Sequence, residues 1–411
     1  MNYETLTKVF YKYGKEVHNF EIIKRKTGYG SYTTGLNIRG FKKGTVTSDV
    51  FELFYVNTHE LMTLNNQVLL NSSKISYLVS KLPKVVIQPY FEKLIVNEAQ
   101  SNNEIEGIRS TKKELKEALN ASKLSESKNK KFIGLMKTYS HIDKIEPFSN
   151  IEDFRKLYDD LVSDEIKDDD KPDGKLFRKG YVEVNDGVST THVGVLTEEK
   201  IIEYLVNLIN FLDNEDHPEL YRYMVSHYFY EYIHPFYDGN GRTGRLIVGS
   251  YLSRYLERYS AITFSYAVNK DKNKYYKSLE EIPTTLNQGD MTFYLINMLS
   301  LLIKGQNGII EDLELNLMKL ERIYAYFKTD YWKEKKSEAS DFMKTMVMIN
   351  VFVDNQVSFS IQELMKSSKL SRHVIDKAMK ELEDEGYIEK ISRNPKVYKV
   401  CENFIENILP N

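Results

Sequence analysis

The residues most able to do chemistry sit in one stretch, HPFYDGNGRTGR at 234–245. Gly239 and Gly241 allow backbone conformations that other residues disfavour, so that main-chain amides can converge as an anion nest. A helix is expected to open near Thr243, and its N-terminal N–H groups would add to that attraction for phosphate. Arg242 and Arg245 supply two planar forks that match phosphate oxygens. Asp238 offers one carboxylate beside the nest, which suits Mg2+ shared with substrate phosphates. His234, four residues earlier, is a base whose ordinary pKa lies near neutrality. A glycine–arginine loop alone is usually a connector; a base, a carboxylate, two glycines and two arginines within twelve residues describe a metal-assisted phosphate site with a proton acceptor.

These groups must be positioned by flanking elements. Gly239–Gly244 matches G-x-G-x-x-G, but a dinucleotide loop follows a strand. Here the preceding PELYRYMVSHYFYEYI has Pro218 at a helix start and Leu220, Met224, Tyr228 and Tyr232 at helical spacing. A helix–loop–helix is therefore expected, and the absence of GxxxxGK[ST] excludes a P-loop. Upstream, residues 1–50 read as irregular with β-like pieces, and a helical pattern begins near 51 with Leu53, Val56, His59 and Leu61. Pro83 breaks the chain, Gly107 stops a helix, and Ser110 or Thr111 caps the next. Residues 125–131 and 164–175 read as polar loops. Residues 180–195 alternate around Asn185-Asp186-Gly187, a hairpin signal. Helices dominate from 197 to 325. In the last 75 residues, Ser360 with Glu363 forms a capping box, Ser371 caps a second helix ending at Gly386, and two short strands flank Asn394-Pro395, a winged helix-turn-helix pattern.

The 411 residues, 41% hydrophobic and 28% charged, leave ample material for more than one core. A net charge of −2 gives no whole-molecule field for nucleic acid or membrane, so anion recognition must be local. One cysteine, Cys401, rules out an internal disulfide. The start carries no apolar signal core, and the longest apolar stretch, about 13 residues from Met291, is too short to span a bilayer. A cytoplasmic location without membrane contact is expected.

The 234–245 stretch resembles the signature HxFx[D/E]GNGRxxR of the Fic family at every defined position. The resemblance implies a mainly α fold, a Fic helical core with a short β-hairpin flap, beside the C-terminal winged helix. It also implies transfer of AMP from ATP to a Ser, Thr or Tyr hydroxyl of a target protein, with Mg2+. By position, His234 would deprotonate the hydroxyl, and Asp238 would hold Mg2+. The Asn240–Gly241 backbone and the Asn240 side chain, next to Gly239, would cradle the α- and β-phosphates. Arg242 would face the leaving pyrophosphate, Arg245 the γ-phosphate, and Phe236 would anchor the loop. The 180–195 hairpin lies where the family carries its target-pairing flap. Tyr275 and Tyr276 would line the adenine pocket, or else belong to the core.

The segment EAQSNNEIEGI at 98–108 resembles the family's inhibitory helix, [S/T]xxxE[G/N], with Asn102 where Ser or Thr is usual. By that resemblance Glu106, followed by Gly107, would pair with Arg245 and deny it to the γ-phosphate; the departure at Asn102 is expected to weaken helix anchoring. His227 reads as a satisfied core histidine. The expected division is an N-terminal region 1–84, a Fic domain 85–310 with its inhibitory helix near 95–107, a helical linker 311–335, and a winged-helix module 336–411. Rival readings are another Fic-type phosphotransfer, AMP removal using Glu106, or a nucleotide-sensing winged-helix regulator. Residues 362–399 carry nine Lys/Arg against seven Asp/Glu, too balanced to demand DNA, and the cluster Glu381, Glu383, Asp384, Glu385 opposes groove entry. A homodimer or target-docking role is the preferred use of that module.

Overall fold

The computed structural model describes residues 3–123, 131–185, 187–335, 337–353, 358–368 and 370–410. It divides into two compact units, one made of residues 1–73 and 94–307, the other of 74–93 and 308–411. The polar loop expected at 125–131 and Asp186 of the hairpin turn fall largely outside the described residues. No helix among those described is long and apolar enough to cross a membrane.

In the first unit the centre is the helix pair Glu219–Ile233 and Asn240–Tyr255. Almost every side chain of both is buried. A helix enclosed on all sides loses its polar face, which is why these elements show so little amphipathic periodicity. Ile151–Val162 and Glu198–Leu212 lie around the pair and do keep an apolar stripe, Phe154, Leu157, Tyr158 and Leu161 in the first, Ile201, Leu205, Leu208 and Leu212 in the second. The antiparallel hairpin Glu183–Asn185/Thr190–Val193 stands at the expected place, with Gly187 at a positive φ of 90°.

The N-terminal expectation needs correction. Residues Leu6–Thr27 form a helix, and Ser31–Lys42 pairs with Thr45–Val56 as a long antiparallel hairpin. Gly14, at φ 85° inside the helix, interrupts the pattern that would have announced it. The first strand buries alternate residues, Thr34, Leu36, Ile38 and Gly40, and the turn is Lys43–Gly44, both at positive φ, a two-residue hairpin loop. Leu53, read as helical, belongs to the second strand, where Leu53, Phe54 and Tyr55 are all buried. Such a short apolar run carries no period to separate strand from helix. Helix begins only at His59. The hairpin is tied down by Phe41 N–H to the Pro283 carbonyl (2.8 Å), and by the buried ion pair Arg25–Asp290 (3.0 Å) beneath it.

The second unit contains the helix Ser337–Phe352, the short strand Ser358–Ser360, the helices Ile361–Ser368 and Arg372–Asp384, and the strands Ile388–Arg393 and Lys396–Val400. The three strands form one sheet with Lys396–Val400 in the middle. Ser360 and Glu363 exchange backbone-to-side-chain hydrogen bonds as the capping box requires (2.9 and 3.2 Å).

Candidate active site

The Glu219–Ile233 helix ends where His234 turns into the left-handed region, φ 53° and ψ 61°, and its N–H still reaches the Tyr230 carbonyl. Phe236 then drops into the core, stacked on Tyr158 with ring centroids 3.6 Å apart. The loop closes through Asn240. Its side-chain oxygen accepts the Phe236 N–H (2.9 Å) and its amide donates to the Phe236 carbonyl (2.8 Å). Both ends of the buried amide thereby hold the loop shut, and the Asn240 amide nitrogen has a second N–H beyond the one that this contact uses. Gly239 at φ 83° caps the next helix, which starts at Asn240, three residues before the expected Thr243. Thr243 is the first residue to donate back into the turn, to the Gly239 carbonyl, so the N–H groups of Asn240, Gly241 and Arg242 lack helical acceptors. The nest is therefore the first helical turn itself.

His234 is backed by three constraints. Arg178, fully buried, donates to the carbonyls of His234 (2.8 Å), Gly180 (2.6 Å) and Val195 (2.8 Å), joining loop and flap hairpin at one guanidinium. Burial, then the neighbouring His192 and Arg178, push the His234 imidazole down to about 3, so the ring is neutral at ordinary pH. A hydrogen bond with the Glu231 backbone occupies one ring nitrogen, leaving the other as an acceptor. Glu198 supports the approach to Arg178, accepting the N–H groups of Lys175 (3.0 Å), Leu176 (2.7 Å) and Phe177 (3.0 Å). Neither Arg178 nor Glu198 carried a motif signal, because each acts through backbone groups distant in sequence.

Asp238 is exposed, and one of its oxygens accepts the Gly239 N–H (2.6 Å). Among the described residues no group of three or more His, Cys, Asp or Glu gathers as a resident metal site would. A lone exposed carboxylate beside phosphate-seeking amides fits Mg2+ that arrives with a nucleotide.

The arginines are both almost wholly buried and both matched by acids. Arg242 donates to Glu165 (2.9 Å), a residue hidden in the charge run that read as loop and that forms the short turn Ser163–Glu165. Arg245 donates from one terminal nitrogen to the Glu106 carboxylate (2.5 Å). Its Nε donates to the Asn102 side-chain oxygen (2.6 Å), and the Asn102 amide donates to Tyr139 (2.7 Å) and to the Arg242 carbonyl (3.3 Å). Asn102 is thus a stronger anchor than expected: an amide reaches the arginine and the helix backbone at once. The helix Lys84–Ile105 is also pinned by Glu98, which accepts the N–H groups of Ser265 (2.7 Å) and Tyr266 (2.8 Å). Glu106 follows this helix, and Gly107 at φ 72° ends it as expected, with the Ile108 N–H reaching the Asn103 carbonyl. The Glu106 carboxylate lies so close to Gly241 that a methyl group there would overlap it. Glu106 therefore stands over the first turn of the Asn240–Tyr255 helix as well as on Arg245.

The tyrosines divide. Tyr275 is core and not pocket lining, because its hydroxyl is engaged by His227 Nε2 (2.9 Å) with the ring wholly buried. Tyr276 is half-buried and donates to the Ile105 carbonyl (3.4 Å) at the end of the Glu106 segment. His227 is core as expected: it meets Tyr275 through Nε2 and the Gly244 backbone, and its Nδ1 lies 3.9 Å from Glu231, whose carboxyl burial raises to about 8.

Residues 147–252 match the Fic/DOC family. A Fic family protein from Desulfovibrio desulfuricans G20 superposes with a TM-score of 0.54 at 17% identity, covering 85% of this chain and 98% of its own, and shares the fold. A Fic domain-containing signalling protein from Bacteroides thetaiotaomicron VPI-5482 aligns at 19% identity over 62% of this chain and 98% of its own, TM-score 0.43. Fic-1 from C. elegans aligns at 17% identity over 64% and 72%, TM-score 0.41.

Proposed function

Starting from a Fic/DOC domain at residues 147–252, we propose that this protein is an adenylyltransferase that moves AMP from ATP onto a Ser, Thr or Tyr hydroxyl of a target protein, and that Glu106 holds it inactive. The observation that carries the reading is the Glu106–Arg245 pair at 2.5 Å, set against the open amides at the start of the Asn240–Tyr255 helix. An acid that neutralises an otherwise phosphate-facing arginine is an internal stand-in for a phosphate oxygen.

The roles follow from the chemistry of each group. The free nitrogen of neutral His234 accepts the proton of the target hydroxyl. The hydroxyl oxygen then bonds to the α-phosphorus as the bond from phosphorus to the β-bridging oxygen breaks, and pyrophosphate leaves with the electron pair. The amides of Asn240, Gly241 and Arg242 hold phosphate oxygens, a preorganised electrostatic cradle that need not reorganise during transfer. Arg242, oriented by Glu165, faces the pyrophosphate, and Arg245 takes the γ-phosphate once Glu106 withdraws. Mg2+ held by Asp238 together with phosphate oxygens would neutralise the charge that builds on them. The flap hairpin at 183–193 would align the target segment.

The test is incubation of the full chain, wild type and Glu106→Gly, with ATP labelled at the α- or the γ-phosphate. Protein-bound label from the α position alone supports AMP transfer. Label from the γ position alone replaces it with kinase chemistry, and no label from either, in a folded Glu106→Gly variant, removes the reading.

A further inference from the structure

The C-terminal elements carry a second surface that the nucleotide site does not use. The helix Arg372–Asp384 buries Ile375, Ala378, Met379 and Leu382 as it packs on the helices Ser337–Phe352 and Ile361–Ser368 and the strand Ile388–Arg393, and it leaves Arg372, His373, Lys377, Lys380 and Asp384 exposed. Balanced composition spoke against a polyanion here, and the acids of this helix were the strongest objection. The structure pairs four of them with cations, while Asp384 stays exposed. Glu381 and Glu385 are both gathered by Lys335, the first at 3.3 Å. Glu383 pairs with Lys390 of the neighbouring strand (2.6 Å), and Asp376 with Lys396 (2.7 Å). These four carboxylates are matched by lysines from other elements, Arg372, 68% exposed, also lies 3.6 Å from Asp376, and Lys380 keeps its charge on the surface.

Shape matches charge. The helix has 13 residues, about 20 Å at 1.5 Å rise per residue, and a major groove about 12 Å wide admits such a helix. Its N-terminus, capped by Ser371, adds positive dipole at the same end as Arg372 and His373. Beside it the hairpin Ile388–Arg393/Lys396–Val400 carries the exposed Arg393 at its turn, and the exposed Lys366 lies on the preceding helix. Cations on helix, turn and hairpin spread along one module are what phosphates on both sides of a groove require.

We propose that this module binds duplex DNA, with the N-terminal half of Arg372–Asp384 in the major groove and Lys366, Lys377, Lys380 and Arg393 on flanking phosphates. The affinity is chiefly electrostatic and therefore salt-dependent. For about four phosphate contacts the logarithm of the binding constant falls with that of salt at a slope of roughly −3.6, about a hundredfold weakening between 50 and 200 mM.

The experiment is fluorescence anisotropy of a labelled 20-base-pair mixed-sequence duplex titrated with the full-length protein at several KCl concentrations. The expected result is micromolar binding at 50 mM KCl and a slope near −3 to −4. The Arg372→Glu/Lys380→Glu double variant should lose at least tenfold in affinity with an unchanged melting temperature, since both side chains are exposed. His234→Ala should bind as wild type does, which keeps this test separate from the nucleotide chemistry. Absence of binding at 50 mM KCl overturns the proposal, as does a double variant that binds like wild type. Equal affinity for a single strand of the same length overturns the groove placement.

Discussion

Replacing Glu106 by glycine should raise AMP transfer, measured as self-labelling from ATP labelled at the α-phosphate, by about thirty- to a hundredfold. Arg245 is held by the Glu106 carboxylate (2.5 Å), the Asn102 side-chain oxygen (2.6 Å) and the Asn102 carbonyl (3.3 Å). Glycine at 106 deletes only the first, so Asn102 keeps the guanidinium in place while its outer nitrogen becomes available to phosphate. The carboxylate is partly exposed, 29% by side-chain area, so the gross attraction of the pair is partly screened. A hydrogen bond to a charged group contributes about 1.5–3 kcal/mol net. Displacing it with a γ-phosphate therefore costs roughly 2–2.7 kcal/mol, which converts to about thirty- to a hundredfold in rate. Removing the carboxylate also clears the space it takes over Gly241. Glu106→Gln keeps the shape with a neutral acceptor and should fall between the two. Arg245→Ala should be inactive, alone and combined with Glu106→Gly, because the freed partner is missing. A folded Glu106→Gly variant that labels no faster than wild type refutes the reasoning and leaves the 98–108 segment a structural helix.

Three further outcomes are expected. His234→Ala should abolish transfer yet change Mg-ATP affinity less than about tenfold, roughly 1.4 kcal/mol, by calorimetry; a larger loss would make it a nucleotide-holding residue. Because its imidazole is depressed to about 3, the neutral form persists as pH falls through the ordinary histidine range and is lost only in strong acid. In the free protein its ring nitrogens, followed by NMR, should accordingly show no protonation between pH 8 and 5, and an inflection near 6.5 would contradict the buried environment. Asp238→Ala should lose activity together with its response to Mg2+, and an unchanged metal titration would sink that role. Arg178→Met deprives the Gly180, Val195 and His234 carbonyls of their donor, each left unsatisfied at a cost of about 1–3 kcal/mol. Several degrees should be lost from the melting temperature and hydrogen exchange in 180–195 should quicken; unchanged exchange there would show that the flap is held by other contacts.

Much of the site was legible because its chemistry is local. His234, Asp238, Gly239, Gly241, Arg242 and Arg245 fall within one turn and the start of one helix, so residue type and spacing largely define the loop before any packing is known. Gly107 and the Ser360–Glu363 box were readable for the same reason, since caps depend on neighbours only a few residues away. What tertiary structure alone decided are the partners across long separations: Glu165 on Arg242, Arg178 beside the 183–193 hairpin, Glu98 pinning the Lys84–Ile105 helix, and Asn102 as a clamp on Arg245. Tyr275 went to His227 and the Asn240 side chain to Phe236 because buried hydrogen-bonding groups must find partners, and which partner is nearest is set by packing. The N-terminal hairpin was hidden for a related reason: Leu53, Phe54 and Tyr55 are enclosed on both faces, and enclosure erases the alternation by which a strand announces itself.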